Sequence, residues 1–430
     1  MVINQAKEII KKITPRFIIG GYHFLWAWAG AVFFGFPSKK LKVVGVTGTN
    51  GKTTTVEMIS AILKEAGFRV ALSSSIKFEI ASDISKNLSG NSMPGRFFLQ
   101  KFLRQAVRKK CDWAVIEATS EGIKQHRHRF ISFDAAVFTN LTPEHIESHG
   151  GFDNYRKAKL GLFKAAENIH IINREDENAG YFLELKARKK FCYGISSKEN
   201  GDCVSVAARG IKTDSSGSEF EVQGAKFKIN LTGLFNVYNA LAAICLALSQ
   251  GIGLEACQKA LARISSIPGR MEKISSSPDI YIDYAFTPNA LEKVYSTLKN
   301  DLARGAKLIC LLGACGGGRD KWKRPVLGQI AAKFCDRIIL TNEDPFDENP
   351  REIINAIKKG VSVQGFPAKN LHEIVDRRQA IAKTLSFAGQ RDKIILTGKG
   401  CEPWIRLEHG KKIPWDEKTV ALEELTKTNH

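Results

Sequence analysis

From Gly45 to Thr55 the chain reads GVTGTNGKTTT, and few folds accommodate such a stretch. LKVVGVTG is a short β-branched run ending in glycine, and TTTVEMISAILKEAG is an amphipathic helix closed by Gly67. Strand, glycine turn and helix in that order turn backbone N–H groups toward an oxyanion at a helix N-terminus. Gly48 and Gly51 let the backbone close around that anion. Lys52 has the reach for β- and γ-phosphates, and the Thr53 hydroxyl can ligate Mg2+. The spacing departs from the common phosphate loop, because Val46 stands five before Gly51 and Gly45 stands six before. A plain glycine turn accounts for the glycines but not for Gly-Lys-Thr directly after a strand. The stretch reads as a nucleotide site.

The α/β alternation continues beyond it. CDWAVIEAT and FDAAVFTNLT are apolar runs with polar residues at their C-terminal ends, where parallel sheets hold ligands. NVYNALAAICLALSQGIG is helix-like and follows a polar, strand-like stretch. SSIPGRME, from Ser265 to Glu272, breaks the pattern and reads as a linker. The alternation then restarts with IYIDYA, KLICLLGA, DRIILTN and KIILTGKG, enough for a second α/β unit of roughly 160 residues.

A net charge of +20 on 430 residues points to an anionic partner. The basic clusters at Arg108–Lys110, Arg127–Arg129 and Arg188–Lys190 are short and scattered, with no RNA-binding aromatic motif, so nucleic acid is not expected. Nine cysteines form no CxxC pair, which suggests reduced thiols and neither a disulfide framework nor a zinc ribbon. Phe17 to Phe36 is twenty residues without a formal charge, flanked by Lys11, Lys12 and Arg16 and by Lys39, Lys40 and Lys42. That run is at the minimum length for a bilayer crossing. Three readings stay open: a span, a helix lying in the interface, or a helix packed on the protein body.

TGTNGKTTT resembles the ATP loop of the Mur ligases, the amide-forming enzymes of peptidoglycan precursor synthesis. The resemblance extends in order. EATSEGIKQHR (Glu117 to Arg127) and FTNLTPEHIESHGGFDNYRKAKLGLF (Phe138 to Phe163) are similar to segments of the MurE type, which adds the third residue of the stem peptide. GLFNVYNALAA, PGRME, DYAFTP, GACGGGRDKWKRP and GKGCEPW also have counterparts, so the similarity covers residues 41 to about 420. It implies an α/β fold with a phosphate-loop-containing central domain of parallel-rich sheet, at 41–267. A Rossmann-like α/β domain follows at 268–430, and a short hydrophobic helical segment precedes at 1–40.

The resemblance also implies a reaction and its site. The acceptor carboxylate attacks the γ-phosphate of ATP to give an acyl phosphate, and an amine then displaces phosphate. Gly48, Thr49, Asn50, Gly51, Lys52, Thr53 and Thr54 hold the nucleotide, with Asn236 and Asn239 on the adenine side and Arg270 and Asp283 near ribose and phosphates. Thr53, Glu117, His145 and Lys159 serve Mg2+. An ammonium would repel that ion, and in Mur ligases the Lys matching Lys159 is carbamylated, which makes it a carboxylate-like ligand. Arg270 sits at the linker, where closure of two domains could deliver its guanidinium to the transferring phosphate. Lys52, Glu117, His145, Lys159 and Arg270 are thus the expected catalytic set.

Asn91, Ser92, Thr119, Gln125 and Arg127 match positions that contact the UDP-sugar peptide. Asp344, Asp347, Gly398 and Glu402 match the amino acid site, and Glu343, Asp344, Asp347 and Glu348 form an acidic loop suited to a terminal ammonium. Diaminopimelate-adding enzymes carry Arg where Phe346 stands, which favours L-lysine or another basic diamino acid. Phe286 and Cys401 stand where the family usually has His. About forty residues precede the loop, against roughly a hundred forming a UDP-gripping domain in MurE-type enzymes. The expectation is either weaker UDP binding or an acceptor presented on a lipid. A cytoplasmic monomer, with contact at the inner face of the membrane left open, is the default. A nucleotide-binding scaffold without activity, or a ligase of another glutamyl acceptor, is the competing reading.

Overall fold

The computed structural model describes residues 16–196 and 203–428. They form two compact units, and the division falls at Ser265–Ser266, inside the linker-like segment. The first unit comprises the chain up to Pro143 together with Gly151–Ser265. The second takes Ser266 onward and also the loop Glu144–Gly150, which lies within the 41–267 span expected for the central domain.

In the first unit β1 (Lys42–Thr47) is central, followed by β2 (Val70–Ser73), β3 (Lys77–Ile80), β4 (Asp83–Lys86), β5 (Trp113–Glu117) and β6 (Ala135–Phe138). Beyond them come β7 (Ile169–Asn173), β8 (Lys189–Gly194), β9 (Val204–Asp214), β10 (Gly217–Val222) and β11 (Ala225–Ile229). The spatial order is β11-β10-β9-β8-β7-β6-β1-β5-β2-β3-β4. The pairs from β2 through β9 are parallel, and antiparallel ribbons, β3–β4 and β10–β11, finish the two edges. β1 and β5 are buried almost throughout, as parallel strands covered on both faces must be. β4 is exposed along its length, and its charged ends at Asp83 and Lys86 discourage further pairing. Val43, Ala114, Ile116, Phe138, Leu162 and Phe163 belong to one core, so the loops at the C-terminal ends of β1, β5 and β6 rest on a rigid base.

The helix α1 (Arg16–Phe33) packs on α2 (Arg96–Arg108) through small residues: Ala27 and Ala31 are buried, and Gly30 lies against Phe97. Of the three readings of the apolar run, packing on the body describes this face. Among the described residues no helix is long and apolar enough to cross a membrane.

One expectation is corrected. Cys192 and Cys203 form a disulfide, although the sequence spacing pointed to reduced thiols throughout. β8 pairs with β9 in parallel, and that neighbouring brings the two Cα atoms to 5.9 Å, a span a disulfide can bridge. No other disulfide forms among the described residues.

The second unit holds a six-stranded sheet of β12 (Glu272–Ser276), β13 (Asp279–Asp283), β14 (Leu308–Leu312), β15 (Arg337–Leu340), β16 (Leu371–Glu373) and β17 (Lys393–Thr397). Their order is β12-β13-β17-β14-β15-β16, with every pair parallel except β12–β13. Ile282, Ile309, Ile339 and Ile394 are among its core. The C-terminal ends of β13, β14, β15 and β17 carry the remaining motif residues.

Candidate active site

The phosphate loop joins β1 to the helix Lys52–Glu65 as the sequence implies. Gly51 has φ of +82°, and a Cβ there would meet the Asn239 side-chain oxygen at 2.3 Å. Only glycine satisfies both demands. Asn239 donates to Asn236 (3.1 Å) and accepts from the Thr55 hydroxyl (3.4 Å), so the pair from the helix Leu234–Ser249 braces the loop from behind. Asn50 is fixed by Thr139 and Asn140: its N–H donates to the Asn140 side chain at 2.9 Å, and its carbonyl accepts the Thr139 hydroxyl at 2.7 Å. Thr49 lies 3.0 Å from the Tyr155 hydroxyl, and Thr54 is buried.

Lys52 donates to the carbonyls of Gly48 and Thr49, both at 2.9 Å. Lys159, from the helix Phe152–Lys164, donates to the same Gly48 carbonyl at 2.7 Å and is 1% exposed. Burial, and after it the Lys52 charge, hold the Lys159 amine well below the usual lysine range, with Glu117 pulling the other way. The Glu117 carboxylate ends β5 and takes the Thr53 hydroxyl at 3.1 Å, the Ser75 N–H at 3.0 Å and the Ser75 hydroxyl at 2.9 Å. Thr53, Glu117 and Lys159 therefore meet the phosphate loop in one unit.

Ser75 is the residue sequence reasoning missed. Its hydroxyl also lies 2.6 Å from Ser92, which ties the phosphate end to the expected acceptor end. Arg127 donates to the Met93 carbonyl and, at 2.8 Å, to Gln125, while Thr119 caps the short helix Ser120–Lys124. Asn91 is held through its carbonyl by Asn87 at 3.0 Å. Burial and the neighbouring Arg96 lower the Arg127 pKa, so two guanidiniums crowd a site with few carboxylates. An acidic ligand would relieve that crowding. No signal in the isolated sequence marks Ser75, which becomes informative only beside Glu117.

The donor set can be tested against Mg2+. Among the described residues no group of three or more His, Cys, Asp or Glu forms a metal cluster. Mg2+ does not require one, since it keeps several waters and takes one or two carboxylates plus substrate phosphates. Glu117, the Thr53 hydroxyl and a buried amine able to become a carbamate fit that demand.

Residues of the second unit form their own groups. His145, with φ of +56°, lies 3.5 Å from Arg319, and the next two N–H groups bind Asp320 at 3.2 and 3.0 Å. Glu144 pairs with Lys323 at 2.7 Å, both side chains 2% exposed. Arg270 stacks over Tyr284 at 4.5 Å. Asp283 accepts the N–H groups of Met271 (2.7 Å) and Ala285 (2.6 Å), and burial pushes its carboxyl up to about 6 against the pull of Arg270.

The acidic loop is more occupied than its sequence suggests. Lys399 reaches Asp344 at 2.8 Å and Glu402 at 2.9 Å, and Glu402 also takes the Tyr284 hydroxyl at 2.9 Å. Burial opposes ionisation of Glu402, but the Lys399 ammonium overrides it and holds the carboxyl below its usual range. Glu343 is buried and takes the Cys315 thiol at 2.9 Å; a Cβ on Gly398 would strike it at 2.4 Å. Glu348 pairs with Arg324 and Lys321, while Asp347 is exposed. Arg406 lies over the Phe346 ring at 5.7 Å and 4.0 Å from Asp344.

Residues 46–247 match the Mur ligase middle domain, and residues 269–400 match the Mur ligase glutamate ligase domain. The chain is 37% identical to the UDP-N-acetylmuramoyl-L-alanyl-D-glutamate–2,6-diaminopimelate ligase 1 of Clostridium acetobutylicum, over 92% of its own length and 80% of the relative's. It belongs to the Mur ligases of MurE type. A UDP-N-acetylmuramyl-tripeptide synthetase of Roseiflexus is 34% identical over 93% of this chain and 81% of that protein. A solved UDP-N-acetylmuramoyl-L-alanyl-D-glutamate–2,6-diaminopimelate ligase matches with a TM-score of 0.60 at 29% identity, covering 91% of this chain and 79% of that one. A folylpolyglutamate synthase of Mycobacterium tuberculosis has a TM-score of 0.69 at 17% identity, which speaks to fold alone. As a Mur ligase the chain is an ATP-dependent enzyme that forms amide bonds.

Proposed function

We propose that this Mur ligase joins a diamino acid to the D-glutamyl carboxylate of UDP-N-acetylmuramoyl-L-Ala-D-Glu. The observation that carries this reading is the continuous run from Lys52 through Thr53, Glu117 and Ser75 to Ser92 and Arg127. It supports this reading because it joins the phosphate loop to the neighbourhood of Arg127 and Arg96, a pair suited to an acidic peptide.

In the proposed reaction a carboxylate oxygen attacks the γ-phosphorus, and the bond to the ADP oxygen breaks. The amine nitrogen then attacks the acyl carbon, loses a proton, and inorganic phosphate leaves. The protein's task is alignment and charge neutralisation. Lys52 leaves the Gly48 and Thr49 carbonyls for the phosphates. Glu117 keeps Thr53 and Ser75 oriented. Bound Mg2+, held by Thr53, Glu117 and carbamylated Lys159, would offset charge on the transferring group. The uncharged amine is the form that adds CO2, so the depressed Lys159 pKa favours this modification. The assignments of His145, Arg270 and Asp283 rest on the resemblance.

For the amino acid, L-lysine or a similar basic side chain is the first reading, because Phe346 lacks the bidentate fork of an arginine. Meso-diaminopimelate is the second, favoured by Arg406 beside Phe346 and by the names of the relatives. Amide formation with ATP, the UDP-muramyl dipeptide and a panel of amino acids tests both. Phosphate release needing acceptor and amino acid supports a ligase. ATP binding without turnover of any acceptor supports the scaffold reading instead.

A further inference from the structure

Helix α1 is built the wrong way round for a surface helix. Its small residues, Ala27, Gly30 and Ala31, face the protein. Its large apolar residues face outward at helical spacing: Tyr22, Leu25, Trp28, Val32 and Phe33 are exposed, Leu25 by 62% and Phe33 by 74%. A soluble helix normally buries the large side chains and shows charge outside. Burial of side chains this size in an apolar medium is favourable in proportion to the area removed from water.

The patch does not stop at the helix. Phe97 touches the rings of Trp26, Phe33 and Phe34, and the next residue, Phe98, lines a groove with Phe78 and Ile84. Lys101, Arg108 and Lys109 rim that groove, with Asp83 paired to Lys109 at 3.0 Å as its one carboxylate. Charge is one-sided over both segments. No Asp or Glu stands between Glu8 and Glu57, whereas Lys39 and Lys40 are exposed just past the helix. None stands between Asp83 and Asp112, a stretch holding Arg96, Lys101, Arg104 and Arg108.

We infer that this face docks on an anionic lipid surface, with α1 lying in the plane of the membrane. Apolar side chains with tryptophan enter the headgroup boundary while the surrounding cations meet lipid phosphates. Each cation near such a surface adds an attraction that a neutral bilayer does not supply. The inference is independent of the amino acid the ligase adds.

Co-sedimentation of the full chain with vesicles tests it, using phosphatidylcholine alone and phosphatidylcholine mixed with phosphatidylglycerol. Binding to the mixed vesicles is expected, falling with salt and at least about tenfold weaker to the neutral ones. The double variants Leu25→Asp/Trp28→Asp and Lys39→Glu/Lys40→Glu should each lose at least about tenfold in binding while retaining ATP affinity. Three results overturn the inference: no binding to either vesicle, equal binding to both, or double variants that bind like the parent chain. A dimer broken by Leu25→Asp/Trp28→Asp without vesicle binding would assign the face to a second copy. Acrylamide-inaccessible tryptophans without vesicle binding would assign it to residues 1–15.

Discussion

Lys52 and Lys159 donate to one and the same acceptor, the Gly48 carbonyl, at 2.9 and 2.7 Å. Two ammonium groups sharing a carbonyl repel each other, and Lys159 is buried besides. The structure resolves the conflict by favouring the uncharged Lys159 amine. The Lys52 charge beside it is one cause of that lowered pKa, second to burial.

Replacing Lys159 should therefore remove a ligand, not merely a contact. Lys159→Ala is expected to lower turnover by about a hundredfold or more, the scale of losing one fixed electrostatic partner. Added short carboxylates should restore part of it, and depleting CO2 should slow the parent enzyme. Turnover with and without acetate checks this; an unchanged rate in Lys159→Ala removes the residue from the mechanism.

Selectivity should pass through Phe346 and Arg406. Phe346→Arg is expected to shift the ratio of kcat/KM for diaminopimelate over lysine upward by about tenfold or more, one good charged hydrogen bond. Arg406→Ala should shift that ratio downward only if the parent already uses diaminopimelate. Competition between the two amino acids, read by mass of the product, separates these outcomes.

Much of the fold was legible because strand and helix periods are local. VVGVT, WAVIE and AAVF are buried strands as their apolar runs imply, and the break at SSIPGRME coincides with the division of units. The phosphate loop was legible for the same reason, since Gly-Lys-Thr after a strand has few other uses. What was hidden depends on partners distant in the chain. Ser75 matters only because β2 and β5 are neighbours, and the Cys192–Cys203 bond follows from strand pairing that spacing does not encode. The acidic loop read as open charge because Lys399 and Arg324 were not visible as its counter-ions.

Stability should respond to His128, which is buried and has its pKa lowered from 6.5 to about 4 by burial, then by Arg129 and His126. The unfolded chain binds the extra proton between these values, so stability falls as pH drops through that window and is flat below it. From about pH 7 to about pH 5 the loss due to this group is about 2 kcal/mol. Urea unfolding of parent and His128→Gln should differ in slope over that range; parallel pH profiles would contradict the assignment.

The central claim, that the acceptor carboxylate itself takes the γ-phosphoryl group, has one direct test. The dipeptide acceptor is labelled with 18O in its D-glutamyl carboxylate, and the phosphate released during amide formation is analysed by mass. One labelled oxygen per phosphate is expected, because the attacking oxygen leaves with phosphorus. Unlabelled phosphate accompanying full conversion to amide would contradict it.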